Sequence, residues 1–392
     1  MLRLLHLADV HLGARHPELG AAAAVQRERQ FGAFATALAL AVTEKVDLVL
    51  IAGDLFDSNT QPRRTVERVA AELRVLIAAG CRAILIPGLH DVYDATSIYR
   101  TYDLPDLAGI PPDSDALVVL TPDRPSVAYP SLNIVLHGRV VSSARVARSP
   151  IAGFVAAPDR RAAWRVGLAH GALRSEAAPG EETGALTEEE IAGTGLDYLA
   201  LGHVHRYHQG ASGGTTWAYP GAPDLVDVEH DGLGQVVLVE LREVDGAHQV
   251  RVQPRSIGRT RYLRLELDAA NLAGQDALAA QLEALADGDV VCHVRLTGLR
   301  PEELVIDEDE LARRVSGLFL HYRFEDLSVP PLPSGPLPPA DTIAGAFMRD
   351  VGARIASAET GGHEGETREA REMLWLGQRV LLGRTSGPEP RP

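Results

Sequence analysis

Seven residues spread over almost two hundred positions carry metal-binding and acid–base chemistry in one coherent order: Asp9, His11, Asp54, His90, His170, His203 and His205. Carboxylate and imidazole together suit manganese, iron or zinc, whereas calcium and magnesium sites are dominated by oxygen ligands. Two such ions a few ångströms apart neutralise a phosphodiester, lower the pKa of a bridging water and steady the leaving oxygen. Taken singly, Asp-x-His reads as a surface turn, Gly-Asp as a loop and His-x-His as chance. Five such motifs in one order are a different matter.

The positions of these motifs imply the elements that gather them. Each follows a short apolar run that reads as a buried strand, over residues 2–8, 46–52, 83–87, 166–169 and 198–201,. The local motifs are Asp9-Val10-His11, Gly53-Asp54-Leu55-Phe56-Asp57, Gly88-Leu89-His90-Asp91, His170-Gly171 and Gly202-His203-Val204-His205. Strands packed side by side bring all five to one sheet edge. In Asp9-Val10-His11 and His203-Val204-His205, an extended backbone would point both outer side chains one way and turn the central valine into the core. Gly53 and Gly202 are expected to permit the close turns that deliver the next side chain.

This order resembles the signature of calcineurin-like metallophosphoesterases, and its details resemble the SbcD-type DNA repair exonuclease branch. The details are His6-Leu7-Ala8-Asp9-Val10-His11-Leu12, Ala52-Gly53-Asp54-Leu55-Phe56-Asp57, and Leu201-Gly202-His203-Val204-His205 followed by Tyr219-Pro220-Gly221, and the match covers roughly the first 255 residues. The resemblance implies one metal held by Asp9, His11, Asp54 and His205 and a second by Asp54, His170 and His203, with Asp54 bridging. It implies that His90 faces the scissile phosphate, stabilising the transition state or assisting the leaving group, and that Asp91 orients His90. The implied ions are two divalent metals, with manganese expected. One position departs from the pattern: Leu89 stands where the family has an asparagine that ligates the second metal. The second site is therefore expected to bind more weakly.

Composition sets the frame. At 392 residues the chain accommodates one large α/β domain and smaller units,. Cys81 and Cys292 lie far apart in apolar runs and read as core residues in a reducing cytoplasm,. The first strand occupies the opening residues, so no signal peptide is expected, and no apolar run is long enough to span a bilayer,. A soluble, cytoplasmic protein without membrane partners is expected.

A net charge of −15 is awkward for a nucleic-acid enzyme, since phosphate contacts draw on basic residues,. The distribution softens the objection. Arg139, Arg145, Arg148, Arg160, Arg161 and Arg165 form one basic stretch, and Arg251, Arg255, Arg259, Arg261 and Arg264 form another. Arg139, Arg145, Arg251 and Arg255 are the candidate contacts to DNA backbone. The competing reading is ordinary surface charge in a chain where Lys45 is the only lysine. Acids concentrate at 181–190 and 302–310 and read as solvated helix starts and loops,.

The expected fold class is α/β: a four-layer α/β/β/α sandwich over residues 1–257, with a small α/β capping module over 258–329 and C-terminal helices. Helices are expected at 25–44 and 64–79, and late strands at 236–241 and 249–253. In the module the pattern reads strand 262–267, helix 275–286, strand 290–296, helix 309–317, strand 318–324. Residues 330–340, where positions 330–339 hold six prolines, form an extended linker,. Helices at 342–358 and 367–382 make up a partner-binding region over 341–383, and residues 384–392 read as a disordered tail. Ile343, Phe347, Val351 and Ile355 form one apolar stripe and Met373, Leu374, Leu376, Val380 and Leu381 another,. Either the two helices bury these on each other or on the catalytic domain, or the stripes dock a partner. The resemblance to SbcD-like nucleases implies DNA and an SMC-like ATPase as partners, and a homodimer stays open.

Three functions compete at this stage: a metal-dependent exonuclease or endonuclease subunit of an SbcCD-like DNA repair complex, a metallophosphoesterase acting on small phosphodiesters or phosphoproteins, and a weakly active or non-catalytic DNA-binding subunit motivated by Leu89. The first accounts for the capping module and the trailing helices.

Overall fold

The computed structural model describes residues 1–143, 148–157, 162–177, 184–227, 233–301, 304–329 and 337–382. It divides into two compact units, Met1–Arg261 and Tyr262–Pro392.

The first unit opens with strand β1 (Leu2–Leu7), helix α1 (Ala23–Thr43), β2 (Leu48–Ala52), α2 (Arg63–Ala78) and β3 (Arg82–Ile86). Two single-turn helices, α3 (Ile98–Thr101) and α4 (Leu104–Leu107), precede β4 (Leu117–Val119). Then come β5 (Ser126–Tyr129), β6 (Ile134–Arg139), β7 (Trp164–His170), α5 (Glu188–Gly193), β8 (Tyr198–Gly202), β9 (His208–Ser212) and β10 (Thr215–Tyr219), and finally β11 (Gln235–Val244) and β12 (Ala247–Ser256). They form two six-stranded sheets, in the orders β12-β11-β1-β2-β3-β4 and β5-β6-β7-β8-β10-β9. β1 through β4 run parallel, as do β6, β7, β8 and β10, while β11 and β12 close the first sheet antiparallel.

Side-chain alternation explains why the central strands read as unbroken apolar runs. Leu2, Leu4 and Ala8 of the first strand region point between the sheets, where they meet Val166, Leu168, Tyr198 and Ala200, while Leu5 and Leu7 point outward to Phe34, Leu38 and Leu73 beneath α1 and α2,. A strand covered on both faces needs no polar side. On the far side of the second sheet, Ile191 of α5 packs with Leu199, Trp217 and Tyr219. The layers are therefore α/β/β/α, as the sequence implies. One polar group sits deep in this core: His6, fully buried, whose Nδ1 lies 2.8 Å from the Tyr198 hydroxyl across the sheets. Burial depresses its pKa to about 3, so the imidazole is neutral,.

The second unit contains β13 (Arg261–Asp268), α6 (Gln275–Ala284), β14 (Asp287–Thr297), α7 (Glu308–Val315) and β15 (Phe319–Asp326), with the strands in the order β13-β14-β15 and β14 parallel to β15. Its core joins Leu278 and Leu282 to Cys292, Val294, Leu311 and Phe319. Glu308, Asp309 and Glu310 occupy the first turn of α7, and Glu188–Glu190 the first turn of α5, where Thr187 and Glu190 form a capping box,. Those acids are helix starts, as read from the sequence. Cys81 and Cys292 are buried free thiols.

Helices α8 (Ile343–Gly361) and α9 (Glu364–Leu382) form a hairpin. Thr342 caps the first by accepting from the Gly345 amide, and Gly362 at φ +70° ends it in the left-handed region that favours glycine,. α8 therefore continues through Gly361, three residues past the expected end. Met348, Val351, Ile355, Ala370 and Leu374 are the hairpin's own core, with Phe347 against it. The α8 stripe is thus mostly internal, with Val351 and Ile355 buried and Ile343 exposed, whereas Leu376 and Val380 of the α9 stripe are exposed. Residues 330–336 of the proline-rich segment and the tail from 384 onward lie outside the described residues. Among the described residues no helix is long and apolar enough to cross a membrane.

Candidate metal centre

The singled-out motifs all sit at carboxyl ends of parallel strands, the edge at which α/β sheets place their ligands. Asp9 and His11 follow β1, Asp54 follows β2 and His90 follows β3 in one sheet, while His170 ends β7 and His203 follows β8 in the other. The backbone there is not extended. Asp9 (φ 53°), His11 (φ 49°), Asp54 (φ 49°) and His203 (φ 99°) all have positive φ, which corrects the alternation expected from Asp-x-His and His-x-His. Such conformations cost a non-glycine residue roughly 1–3 kcal/mol each and persist where the surroundings enforce them. A short parallel ladder does so: the amides of Asp9, His11 and Leu12 donate to the carbonyls of Gly53, Asp54 and Leu55 at 3.2, 3.0 and 3.0 Å. The valine of the first motif is buried, as expected.

The two glycines act as the sequence suggests. Gly53 has φ +94°, and a Cβ there would collide with the His170 imidazole. A Cβ on Gly202 would collide with the Ala52 carbonyl oxygen.

The side chains converge in three overlapping groups, each with its ligand atoms within 4.8 Å of one another: Asp9, His11 and His205; Asp9, Asp54 and His170; His11, Asp57 and His90. Asp54 Oδ2 lies 3.0 Å from His170 Nε2 and 3.8 Å from His11 Nε2, and Asp9 Oδ1 lies 4.0 Å from His170 Nε2. Both carboxylates therefore stand between the imidazoles, so Asp9 shares the central place assigned to Asp54 alone. His203 enters differently from the expectation. Its amide donates to both oxygens of Asp9 at 2.9 and 3.0 Å, its ring centroid lies 5.5 Å from that of His170, and its side chain falls in none of the three groups.

The residues fit divalent cations. Asp9 and Asp54 are buried carboxylates, and charge so placed needs a counter-charge,. Nε2 of His11 is a buried nitrogen with no hydrogen-bond partner, and Nε2 of His170 meets only the Asp54 carboxylate, so an ion among the carboxylates would satisfy both. The opposite ring nitrogens face outer groups, as in metal-bound histidines. His170 Nδ1 donates to the Ala52 carbonyl at 2.9 Å, His205 Nδ1 lies 2.9 Å from Asp227 and His11 Nδ1 3.4 Å from Asp57. Burial alone would raise Asp54, but His170 and His11 hold its carboxyl far below the usual range. Burial alone would lower His170, but Asp54 and Asp9 push it up to about 10.

His90 is exposed at the rim. Its amide donates to Asp54 Oδ1 at 2.7 Å, its Nδ1 donates to the Asp57 carbonyl at 3.1 Å, and its ring stands edge-on to His11 at 4.6 Å. The His90 ring is thus bonded by the backbone of Asp57 and not by Asp91 as expected, so Asp91 can act on His90 only through the turn that carries it. The Asp91 carboxylate is fully buried and accepts instead from the Gly88 amide (2.6 Å), the Phe56 amide (3.2 Å) and the Tyr99 hydroxyl (2.6 Å). Burial, with Asp54 nearby, raises its pKa.

Asp57, Asp227 and Tyr99 were not assigned roles from the sequence. Asp57 closes the Gly53–Asp57 motif and was within reach of that reading, whereas Asp227 and Tyr99 carry no local signal. Of the candidate DNA contacts, Arg139 is half-buried, with Nε donating to the Pro150 carbonyl at 3.0 Å and its guanidinium 4.9 Å from the Phe154 ring centre. It packs inward rather than presenting a free cation. Arg145 lies outside the described residues. Arg251 and Arg255 sit on the edge strand β12, Arg251 exposed and paired in register with Glu240, and Arg255 donating to Gln253 at 2.9 Å.

Comparison with known proteins places this geometry in a family. The chain is 29% identical over 273 residues to the "DNA double-strand break repair protein Mre11" of Aeropyrum pernix, covering 64% of this chain and 63% of that one. It is 26% identical over 235 residues to the protein of the same name from Saccharolobus solfataricus, covering 58% and 56%. To the "Uncharacterized metallophosphoesterase YhaO" of Bacillus subtilis it is 24% identical over 254 residues, covering 63% and 59%. The chain thus spans about three-fifths of the length of these curated relatives. The model of the calcineurin-like phosphoesterases matches residues 2–207, more than half of the chain, and the chain belongs to that family.

Proposed function

We propose that the chain is a two-metal-dependent phosphodiester hydrolase that cuts DNA, working as the nuclease subunit of an SbcCD-like repair complex with an SMC-like ATPase. The observation that carries this reading is the meeting of two buried carboxylates, Asp9 and Asp54, with the buried Nε2 atoms of His11 and His170. The name shared by the Mre11 relatives supports DNA as substrate. On this reading Asp9, His11 and His205 hold one ion, and Asp54, Asp9 and His170, with His203 beside them, hold the other; manganese is the ion we expect. Bound, the ions would neutralise the phosphate and activate a water.

The protein's own residues do the rest. Asp57 fixes the His90 ring through its carbonyl, leaving Nε2 to meet substrate. With Nδ1 committed as a donor, Nε2 gives a proton to a phosphate or leaving oxygen only from the imidazolium form. Asp227 and Asp57 hold the rings of His205 and His11.

The test compares manganese-dependent turnover of bis(p-nitrophenyl) phosphate with digestion of an end-labelled DNA duplex. Activity on both supports the nuclease. Turnover of the small diester alone points to a small-substrate phosphoesterase. Inactivity on both, at saturating manganese, makes the chain a binding subunit in which Leu89 has disabled the second site.

A further inference from the structure

The turn that carries His90 is strapped to the turn that carries Asp54. Asp91 gathers one amide from each, Gly88 from the first and Phe56 from the second, and Tyr99 adds its hydroxyl to the same carboxylate at 2.6 Å. Asn59 makes a second strap: its Nδ2 donates to the Val92 carbonyl at 2.9 Å and its Oδ1 accepts the Ile98 amide at 2.9 Å. The chain between β3 and α3 is thereby fixed at both ends to the loop after β2. The Tyr99 ring lies 6.0 Å from that of Phe56, whose amide donates to the same Asp91 carboxylate.

We propose that Tyr99 is a positioning residue for His90. Its hydroxyl is the one side-chain donor to Asp91 among the described residues and locks the carboxylate that holds the two turns in register. The inference rests on the reading of His90 as the group that faces substrate. Without the hydroxyl, Asp91 keeps two backbone donors but loses the group that sets its rotamer. The 88–91 turn gains freedom and the imidazole loses alignment, and misplacement by about 1 Å can cost a reacting group up to roughly a hundredfold in rate.

The test is a double-mutant cycle between Tyr99→Phe and His90→Ala, read as kcat and KM on bis(p-nitrophenyl) phosphate with manganese, beside metal content by emission spectroscopy. Tyr99→Phe keeps the ring against Phe56 and removes only the hydroxyl. With His90 present it should lower kcat by about tenfold at unchanged KM and metal content, and in the His90→Ala protein it should change nothing. An equal loss in both backgrounds would mark Tyr99 as merely structural and overturn the inference, as would undiminished kcat with His90 present. Full activity of His90→Ala by itself would remove the underlying reading of His90, an outcome visible without Tyr99 being touched.

Discussion

Oδ1 of Asp54 accepts the backbone amide of His90 at 2.7 Å. That bond commits one oxygen of the central carboxylate to the turn and leaves Oδ2 to face His170 and His11. Asp54→Asn should therefore keep the turn, because an amide oxygen can replace Oδ1, while losing the charge that the ion beside His170 needs. Hydrolysis should fall by at least about two orders of magnitude, with less metal retained. Emission spectroscopy of the dialysed protein beside turnover measures both, and full activity at normal metal content would remove Asp54 from the centre.

His90 contributes its backbone to Asp54 and its side chain to the rim, and these roles are separable. His90→Ala retains the amide, so metal content should hold while the rate falls by about 10²–10⁴, the usual contribution of a positioned acid or base. Loss of metal in parallel with rate would show the imidazole to be a ligand, as its grouping with His11 and Asp57 would then imply.

Leu89 stands between two residues that touch Asp54. A Cβ on Gly88 would press into the Asp54 side chain and amide, and the amide of His90 bonds the Asp54 carboxylate. The intervening side chain is half-buried and belongs to none of the apolar clusters. Leu89→Asn should supply a neutral oxygen to the weaker ion and lower the manganese needed for half-maximal rate by about tenfold. Calorimetric titration of both proteins decides it. Identical binding would mean that position 89 does not reach the ions.

His6 predicts an acid-sensitive step independent of the ions. Its folded pKa, near 3, lies below the unfolded value of 6.5, so between these values the unfolded chain binds a proton that the folded chain refuses. Its neutral form imposes no penalty above pH 6.5, and stability falls as pH drops toward 3. Between pH 7 and pH 5 the loss from this group is about 2 kcal/mol. His6→Gln, uncharged and able to bond the Tyr198 hydroxyl, should flatten that part of the profile. Urea unfolding at the two pH values tests it, and parallel losses in both proteins would reject His6 as the source.

Much of the architecture was legible because strands buried on both faces leave continuous apolar runs, and because the functional groups follow those runs directly. Leu4, Leu50, Ile84, Leu168 and Ala200 announce their strands in this way. Strands β4, β5, β6, β9 and β10 were not read: β9, with His208, Gln209 and Gly210, has no apolar face to betray it. The left-handed conformations of Asp9, His11 and Asp54 were equally hidden, since they follow from the ladder between two loops and not from any local preference. Asp91 shows the same limit. Adjacent in sequence to His90, it is claimed by Tyr99 and Phe56, and only tertiary structure brings those donors to it.

The hairpin of α8 and α9 alters the test of a partner surface. Val351, Ile355 and Leu374 hold the hairpin together, so Val351→Asp would unfold it and reveal nothing about docking,. Exposed apolar side chains on α9 include Leu376 (53% exposed) and Val380 (79%), with Met373 one turn before. Spaced three, four and seven apart, they share one helix face. An SMC-like ATPase that grips this unit should meet that face, so Leu376→Asp with Val380→Asp should abolish co-purification. Helix content by circular dichroism and turnover of bis(p-nitrophenyl) phosphate should stay unchanged, since neither residue belongs to the hairpin core or the metal centre. An ATPase that still co-purifies with the folded double variant would place the partner surface elsewhere on the chain.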